Sequence, residues 1–203
     1  MIAFFINAAW WVVVTLPLLR NYQQKYYVEA GGTDVRGIFS RLGKVFAEIR
    51  DDKKVLWFLA AFFFYIDGVY TIIDMATAYG SALGLNSTGL LLALLVTQLV
   101  AFPFAIIFGR LTSKYSTGRL ITACIIAYIG ITVFAVFMKS QWQFWVLAIF
   151  VGMFQGGIQA LSRSYFAKII PAERSGEYFG LMDICGKGAS FLGTLVVGAA
   201  SQI

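Results

Sequence analysis

Two carboxylates, Asp67 and Asp74, sit in the apolar stretch Phe62 to Asp74, FFFYIDGVYTIID. At that spacing they share nearly one helical face, about 10 Å apart along the axis. A carboxylate at bilayer depth costs about 2.5–3.5 kcal/mol on insertion scales. Such groups persist where they face a wet cavity or a partner. Asp67, about 18 Å from the inner end of its apolar run, falls near the midplane and reads as a proton or cation acceptor. The bland alternative is that both acids pair with a helix end or a backbone donor, with Asp74 near the outer mouth.

Other polar groups recur inside apolar runs. Asp183 and Lys187 stand at i, i+4 with the acid first, the better order for a helical ion pair. They either neutralise each other or leave Lys187 to bind a solute carboxylate or Asp67. Gln155, Gln159 and Arg163 form an i, i+4, i+8 stripe beside Gly156 and Gly157. Its amides suit hydrogen bonding to a solute and its arginine suits closing an inner gate. The bland reading is interhelical bonding and an arginine reaching for the interface. Thr97 and Gln98 are weaker candidates, because a threonine in a span commonly bonds its own backbone. Tyr65, Tyr70 and the tryptophans read as packing or interface anchors.

These groups need a scaffold that holds them in a bilayer. The 203 residues are 60% hydrophobic and 13% charged, against about 25% charged in an ordinary soluble domain. Too few polar side chains remain to cover a water-facing globule. The apolar runs are continuous rather than alternating, so the expectation is an all-α membrane protein and not a barrel. The net charge of +6 does not read as a nucleic-acid signal, because the basic residues cluster between apolar runs. The sequence has no histidine, and no metal-ligand cluster, cofactor motif or nucleophile–base spacing is evident, which argues against an enzyme. No GxxxxGK[ST] loop is present. Cys124 and Cys185 both lie in apolar segments without a CxxC partner and read as inert thiols.

Six spans are expected. Ile2 to Leu19 is the first. Residues 21–54 form a polar connector, and residues 20–54 carry eight of the 16 Lys and Arg residues. Within it, Ile38, Leu42, Val45, Phe46 and Ile49 follow a helical period over Val35 to Arg50. This is a short amphipathic helix, lying on the membrane face or serving as a solvated connector. The remaining spans are Val55 to Leu83, Gly89 to Phe108 with Pro103, Leu120 to Met138, Trp142 to Ala167, and Tyr178 to Ala200. Asn86 or Ser87 is placed to cap the third. The glycines at 180, 186, 188, 193 and 198 are expected to let neighbouring helices approach closely. The division is thus 1–20 as first span, 21–54 as connector, and 55–203 as a five-span bundle. Basic residues concentrate in the loops after odd-numbered spans, which places those loops in the cytoplasm. Met1 leads into an apolar run with no basic region before it, which argues against a cleaved signal peptide and for a chain that starts mid-protein.

The loop Gly109-Arg-Leu-Thr-Ser-Lys-Tyr-Ser-Thr-Gly-Arg119 resembles the Gly-x-Leu-x-Asp-Arg/Lys-x-Gly-Arg loop of the major facilitator superfamily. Gly109, Leu111, Lys114 and Arg119 fit, whereas Ser113 stands where the pattern has Asp and Gly118 is offset. Three stretches resemble the vacuole-effluxer-like branch of that superfamily, the relatives of the autophagy-linked amino-acid effluxer. They are Tyr65-Ile-Asp-Gly-Val-Tyr70, Gln155-Gly-Gly-Ile-Gln-Ala-Leu-Ser-Arg-Ser-Tyr165 and Glu177-Tyr-Phe-Gly-Leu-Met-Asp183. The resemblance implies the C-terminal half of a major-facilitator fold, helices six to eleven of twelve, with residues 21–54 as the central cytoplasmic loop. It implies alternating access against a missing N-terminal half-bundle, with Gly109, Lys114, Arg119 and Arg163 as gating elements.

The reading is a secondary active transporter fragment for a small polar solute such as amino acids. It is multi-pass, set in the inner (plasma) membrane if bacterial, and proton-coupled through Asp67. The alternative is a non-transporting membrane scaffold or lipid-handling module. Transport predicts that the polar groups of spans two, three, five and six converge on one wet groove. A scaffold would scatter them or seal them in pairs.

Overall fold

The computed structural model describes residues 2–23 and 35–200. Among them there are helices and no strands: α1 (Ile2–Asn21), α2 (Val35–Asp51), α3 (Lys53–Ala82), α4 (Ser87–Leu111), α5 (Thr117–Val136), α6 (Gln141–Ile169) and α7 (Ser175–Ala200), with a 3₁₀ turn at Ala172–Arg174 before α7. Six of these helices, all but α2, are long and apolar enough to cross a membrane. The protein is a multi-pass, all-α membrane protein. Packing divides the chain into two units, Met1–Gly37 and Ile38–Ile203, so the division falls inside α2. The expected connector lies partly outside the described residues, including Lys25 and the Gly31–Gly32 pair.

In the first unit, α1 has 20 residues and a length of about 30 Å, one hydrocarbon core. Pro17 lies inside it.

The second unit is a bundle centred on α6, which packs on α4, α5 and α3, while α3 also packs on α7. Local chemistry sets the helix ends. Asp52 caps α3, its carboxylate accepting from the backbone N–H groups of Lys54 at 3.0 Å and Val55 at 3.3 Å. Asn86 caps α4, accepting from Gly89 N–H at 3.1 Å. Gly84, at φ +74°, turns the chain between α3 and α4, a conformation that costs a glycine little. Pro103 stays inside α4. The expected loop from Gly109 to Arg119 is shorter than that, because α4 runs to Leu111 and α5 begins at Thr117. Gly109 and Arg119 are therefore helical.

Glycine sets the α4–α6 contact. A Cβ on Gly152 would lie 2.6 Å from the carbonyl oxygen of Thr97, and one on Gly156 would collide with the carbonyl oxygen of Ala101. Gly152 and Gly156 are one turn apart, as are Thr97 and Ala101, so small residues bring two backbones together over a full turn. On α7 the expectation of a glycine-packed helix holds only in part. Gly193 and Gly186 meet α3 side chains, whereas Gly180 and Gly198 have nothing within 4 Å of an added Cβ.

The amphipathic segment of α2 packs differently from either reading given above. Val45 and Ile49 are fully buried in the core of the bundle, while Phe46 is 62% exposed. Glu48 pairs with Arg174 in the α6–α7 connection, and Arg174 also pairs with Glu177 at 2.7 Å. The helix is thus fastened to the basic end of the bundle by an apolar stripe and an ion-pair network.

Candidate solute-binding site

A cavity of about 400 Å³ opens between α3, α6 and α7. Helical periodicity brings its polar groups together. Tyr70 and Asp74 are one turn apart on α3, Gln159 and Arg163 one turn apart on α6, and Asp183, Lys187 and Ser190 form an i, i+4, i+7 stripe on α7. Phe62, Ile66 and Met182 supply apolar wall. Gly186 admits the rings of Phe62 and Tyr70, which lie 3.6 and 3.7 Å from where its Cβ would stand. Five of the residues singled out from sequence, Asp74, Gln159, Arg163, Asp183 and Lys187, share this space.

The charges pair across helices rather than along one. Arg163 Nη2 meets Asp183 Oδ1 at 2.9 Å, so the intrahelical Asp183–Lys187 pair offered above does not form. The guanidinium reaches from α6 to α7 and takes the carboxylate. Lys187 is left lining the cavity with no hydrogen bond or ion pair among the described residues. Ser190 Oγ donates to Asp74 Oδ2 at 2.8 Å, linking α7 to α3. Both side chains of the Arg163–Asp183 pair are about half exposed, 59% and 49%, so the pair is a weak clasp, worth about 0–1 kcal/mol in water.

The other candidates lie elsewhere. Gln155 lines a second cavity of about 320 Å³ between α3, α4, α5 and α6, with Val197 of α7 at its edge, together with Thr97, Gln98 and Thr71 in largely apolar walls. The stripe Gln155–Gln159–Arg163 divides because each i, i+4 step rotates by about 40°, which puts its ends about 80° apart. One shared groove is therefore not what forms. Gln155 Oε1 is buried without a partner. Thr97 is buried, and its hydroxyl donates to Ala93 O at 3.0 Å and to Ala148 O of α6 at 3.2 Å, so it serves helix packing. Asp67 faces α7, where its Oδ1 and the Oγ1 of Thr71 converge on the bare face of Gly193. Both oxygens are buried and unpartnered. Gly109, Lys114 and Arg119 line neither cavity. Ser113, in the place of the family's Asp, donates its hydroxyl to Arg110 O at 2.8 Å and closes the end of α4.

Sequence reading passed over Ser190, Thr71 and the facing role of Gly193, and took Tyr70 for a packing residue. The signal was available for two of them: Ser190 continues the Asp183–Lys187 stripe, and Thr71 lies one turn beyond Asp67.

Comparison with known proteins now adds the family. The model for vacuole effluxer Atg22-like proteins matches residues 1–203. The chain belongs to the vacuole effluxer Atg22-like family. It is 45% identical over 202 residues to a protein of Bacillus subtilis (strain 168) named uncharacterized MFS-type transporter YxiO, covering 100% of this chain and 47% of that protein. It is 29% identical over 227 residues to autophagy-related protein 22 of Coccidioides immitis (strain RS), covering 98% and 37%. Autophagy-related protein 22 of Eremothecium gossypii is 25% identical over 217 residues, with 97% and 43% covered. The chain spans less than half the length of these relatives. No solved structure matches it.

Proposed function

We propose that the chain is the C-terminal half-bundle of a secondary active transporter that moves a small zwitterionic solute, such as an amino acid, by alternating access. The observation that carries this reading is Lys187, without a partner among the described residues, in the same cavity as the Ser190-linked carboxylate of Asp74. An ammonium suits a solute carboxylate, and a carboxylate retains acceptor sites for a solute ammonium after taking one hydroxyl. Gln159 and Tyr70 add neutral donors and acceptors. The Arg163–Asp183 clasp lies toward the basic end of the bundle, where its opening would admit or release solute. An opposing half-bundle completes the site. In a bacterial cell the membrane is the plasma membrane.

The non-transporting alternative draws on the second, apolar cavity, which suits a lipid chain or a sealed scaffold. The two readings separate in one experiment: thermal unfolding of the purified full-length protein with each of the common amino acids at two pH values. Transport expects stabilisation by a restricted set of them, abolished by Lys187→Met. A shift with no amino acid, or one indifferent to Lys187, overturns it.

A further inference from the structure

We infer that Tyr65 and Ser162 are a positioning pair for the solute cavity: their hydrogen bond sets the register between the two groups of helices that share out the cavity's polar residues. The effect on solute rests on the transporter reading proposed above, whereas the tie between the helices does not.

The bundle is packed as two groups. α4 and α5 lie close against α6, α3 lies close against α7, and the contact between α3 and α6 is sparser. The solute cavity opens on that seam. Gln159 and Arg163 stand on the α6 side, and Asp74, Asp183, Lys187 and Ser190 stand on the α3–α7 side. A solute that meets both sides needs the two groups held in one register. The polar ties across the seam differ in kind. The Arg163–Asp183 clasp is about half exposed. At the far end of α3, the exposed Tyr79 hydroxyl donates to Ala135 O of α5 at 2.9 Å. Tyr65 and Ser162 meet at 2.7 Å, and Ser162 is fully buried. Among the described residues this is the one hydrogen bond from α3 to α6, and a bond screened from water is electrostatically stronger than an exposed one.

The donor can be assigned. The single hydroxyl proton of Ser162 goes back one turn to Ile158 O at 2.6 Å. The Tyr65 hydroxyl therefore donates and Ser162 Oγ accepts. Helix geometry carries this tie to the cavity. Ser162 directly precedes Arg163 and Tyr65 directly precedes Ile66, and both followers line the cavity. Successive residues on a helix point about 100° apart. With Ser162 turned to α3, Arg163 turns to α7 and takes Asp183 at 2.9 Å. Rings reinforce the same contact, with Phe58 of α3 centred 5.2 Å from Tyr165 and 5.5 Å from Phe166 of α6. Ring burial is favourable over a range of offsets, so the directional bond fixes the register.

Spin labels on the full-length protein test the tie without any solute. Ser164→Cys on α6 and Gly180→Cys on α7 are both exposed positions, to be labelled in a background whose native cysteines are replaced by alanine. Double electron–electron resonance should give one narrow distance, broadened or shifted by Tyr65→Phe and by Ser162→Ala. Tyr65→Phe keeps the ring and leaves Ser162 bonded to Ile158, so its unfolding temperature should stay near that of the wild type. That variant thus separates lost position from lost fold. An unchanged distance in Tyr65→Phe overturns the tie. Thermal-shift titration with each of the common amino acids reads the effect on solute. Tyr65→Phe should raise the half-saturating concentration about two- to tenfold, what one hydrogen bond is worth. An altered distance with an unchanged half-saturating concentration overturns the positioning role. If no amino acid stabilises the wild type while the distance still responds to Tyr65→Phe, the transport reading fails and the tie stands.

Discussion

On the proposed reading, Lys187 is the side chain whose environment bears most on solute binding. It lines the cavity with no hydrogen bond or ion pair among the described residues, while its expected partner, Asp183, is held by Arg163 at 2.9 Å. A solute carboxylate would give Lys187 the counter-charge it lacks, so Lys187→Met should weaken binding at least tenfold, about 1.4 kcal/mol. Titration of the full-length protein with the stabilising amino acid measures this. Arg163 and Asp183 make a different prediction. Each single alanine variant should loosen the clasp and change uptake rate more than solute affinity, and the swap Arg163→Asp with Asp183→Arg should restore part of the rate. An unrecovered swap would mean that the arginine has a further role. Five of the residues that line the cavity, Asp74, Gln159, Arg163, Asp183 and Lys187, were legible from sequence, because an acid, an amide or a lysine in an apolar span is expensive and must be accommodated. Which residue each one meets was not. The i, i+4 rule suggested Asp183–Lys187, but the guanidinium of another helix prevailed, and that choice depends on tertiary packing.

At the scale of helices, glycine decides how closely α6 lies against α4. Gly152 and Gly156 leave no room for a Cβ beside the Thr97 and Ala101 carbonyls. Gly156→Val should therefore force the helices apart and cost about 1–3 kcal/mol as overpacking. A lowered unfolding temperature in detergent, with Gly180→Val as the neutral control on the open face of α7, checks it. The sequence advertised glycines on α7 and at Gly156 and Gly157. It could not say which faced backbone and which faced empty space, because that depends on helix rotation. The amphipathic period of α2 was equally readable, and its boundaries were found to within a residue. Its destination was not, since burial of Val45 and Ile49 in the core and the Glu48–Arg174 pair depend on a connection more than a hundred residues later in the chain.

For the whole molecule, sidedness decides what the Arg163–Asp183 clasp does. Lys53, Lys54, Lys114, Arg119, Lys168 and Arg174 gather at one end of the bundle, and Lys139 is the lysine at the other. Arg163 lies about 9 Å from the end of α6, and Asp183 about 12 Å from the start of α7. The clasp therefore belongs to the basic side of the cavity. If basic loops face the cytoplasm, it closes the inner path and Asp74 stands on the outer side of it. Single cysteines at Lys114 and Lys139, in a background where Cys124 and Cys185 are replaced by alanine, test this with a membrane-impermeant maleimide on intact cells. Lys139→Cys should label directly, and Lys114→Cys only after permeabilisation. The reverse pattern would make the clasp an outer gate.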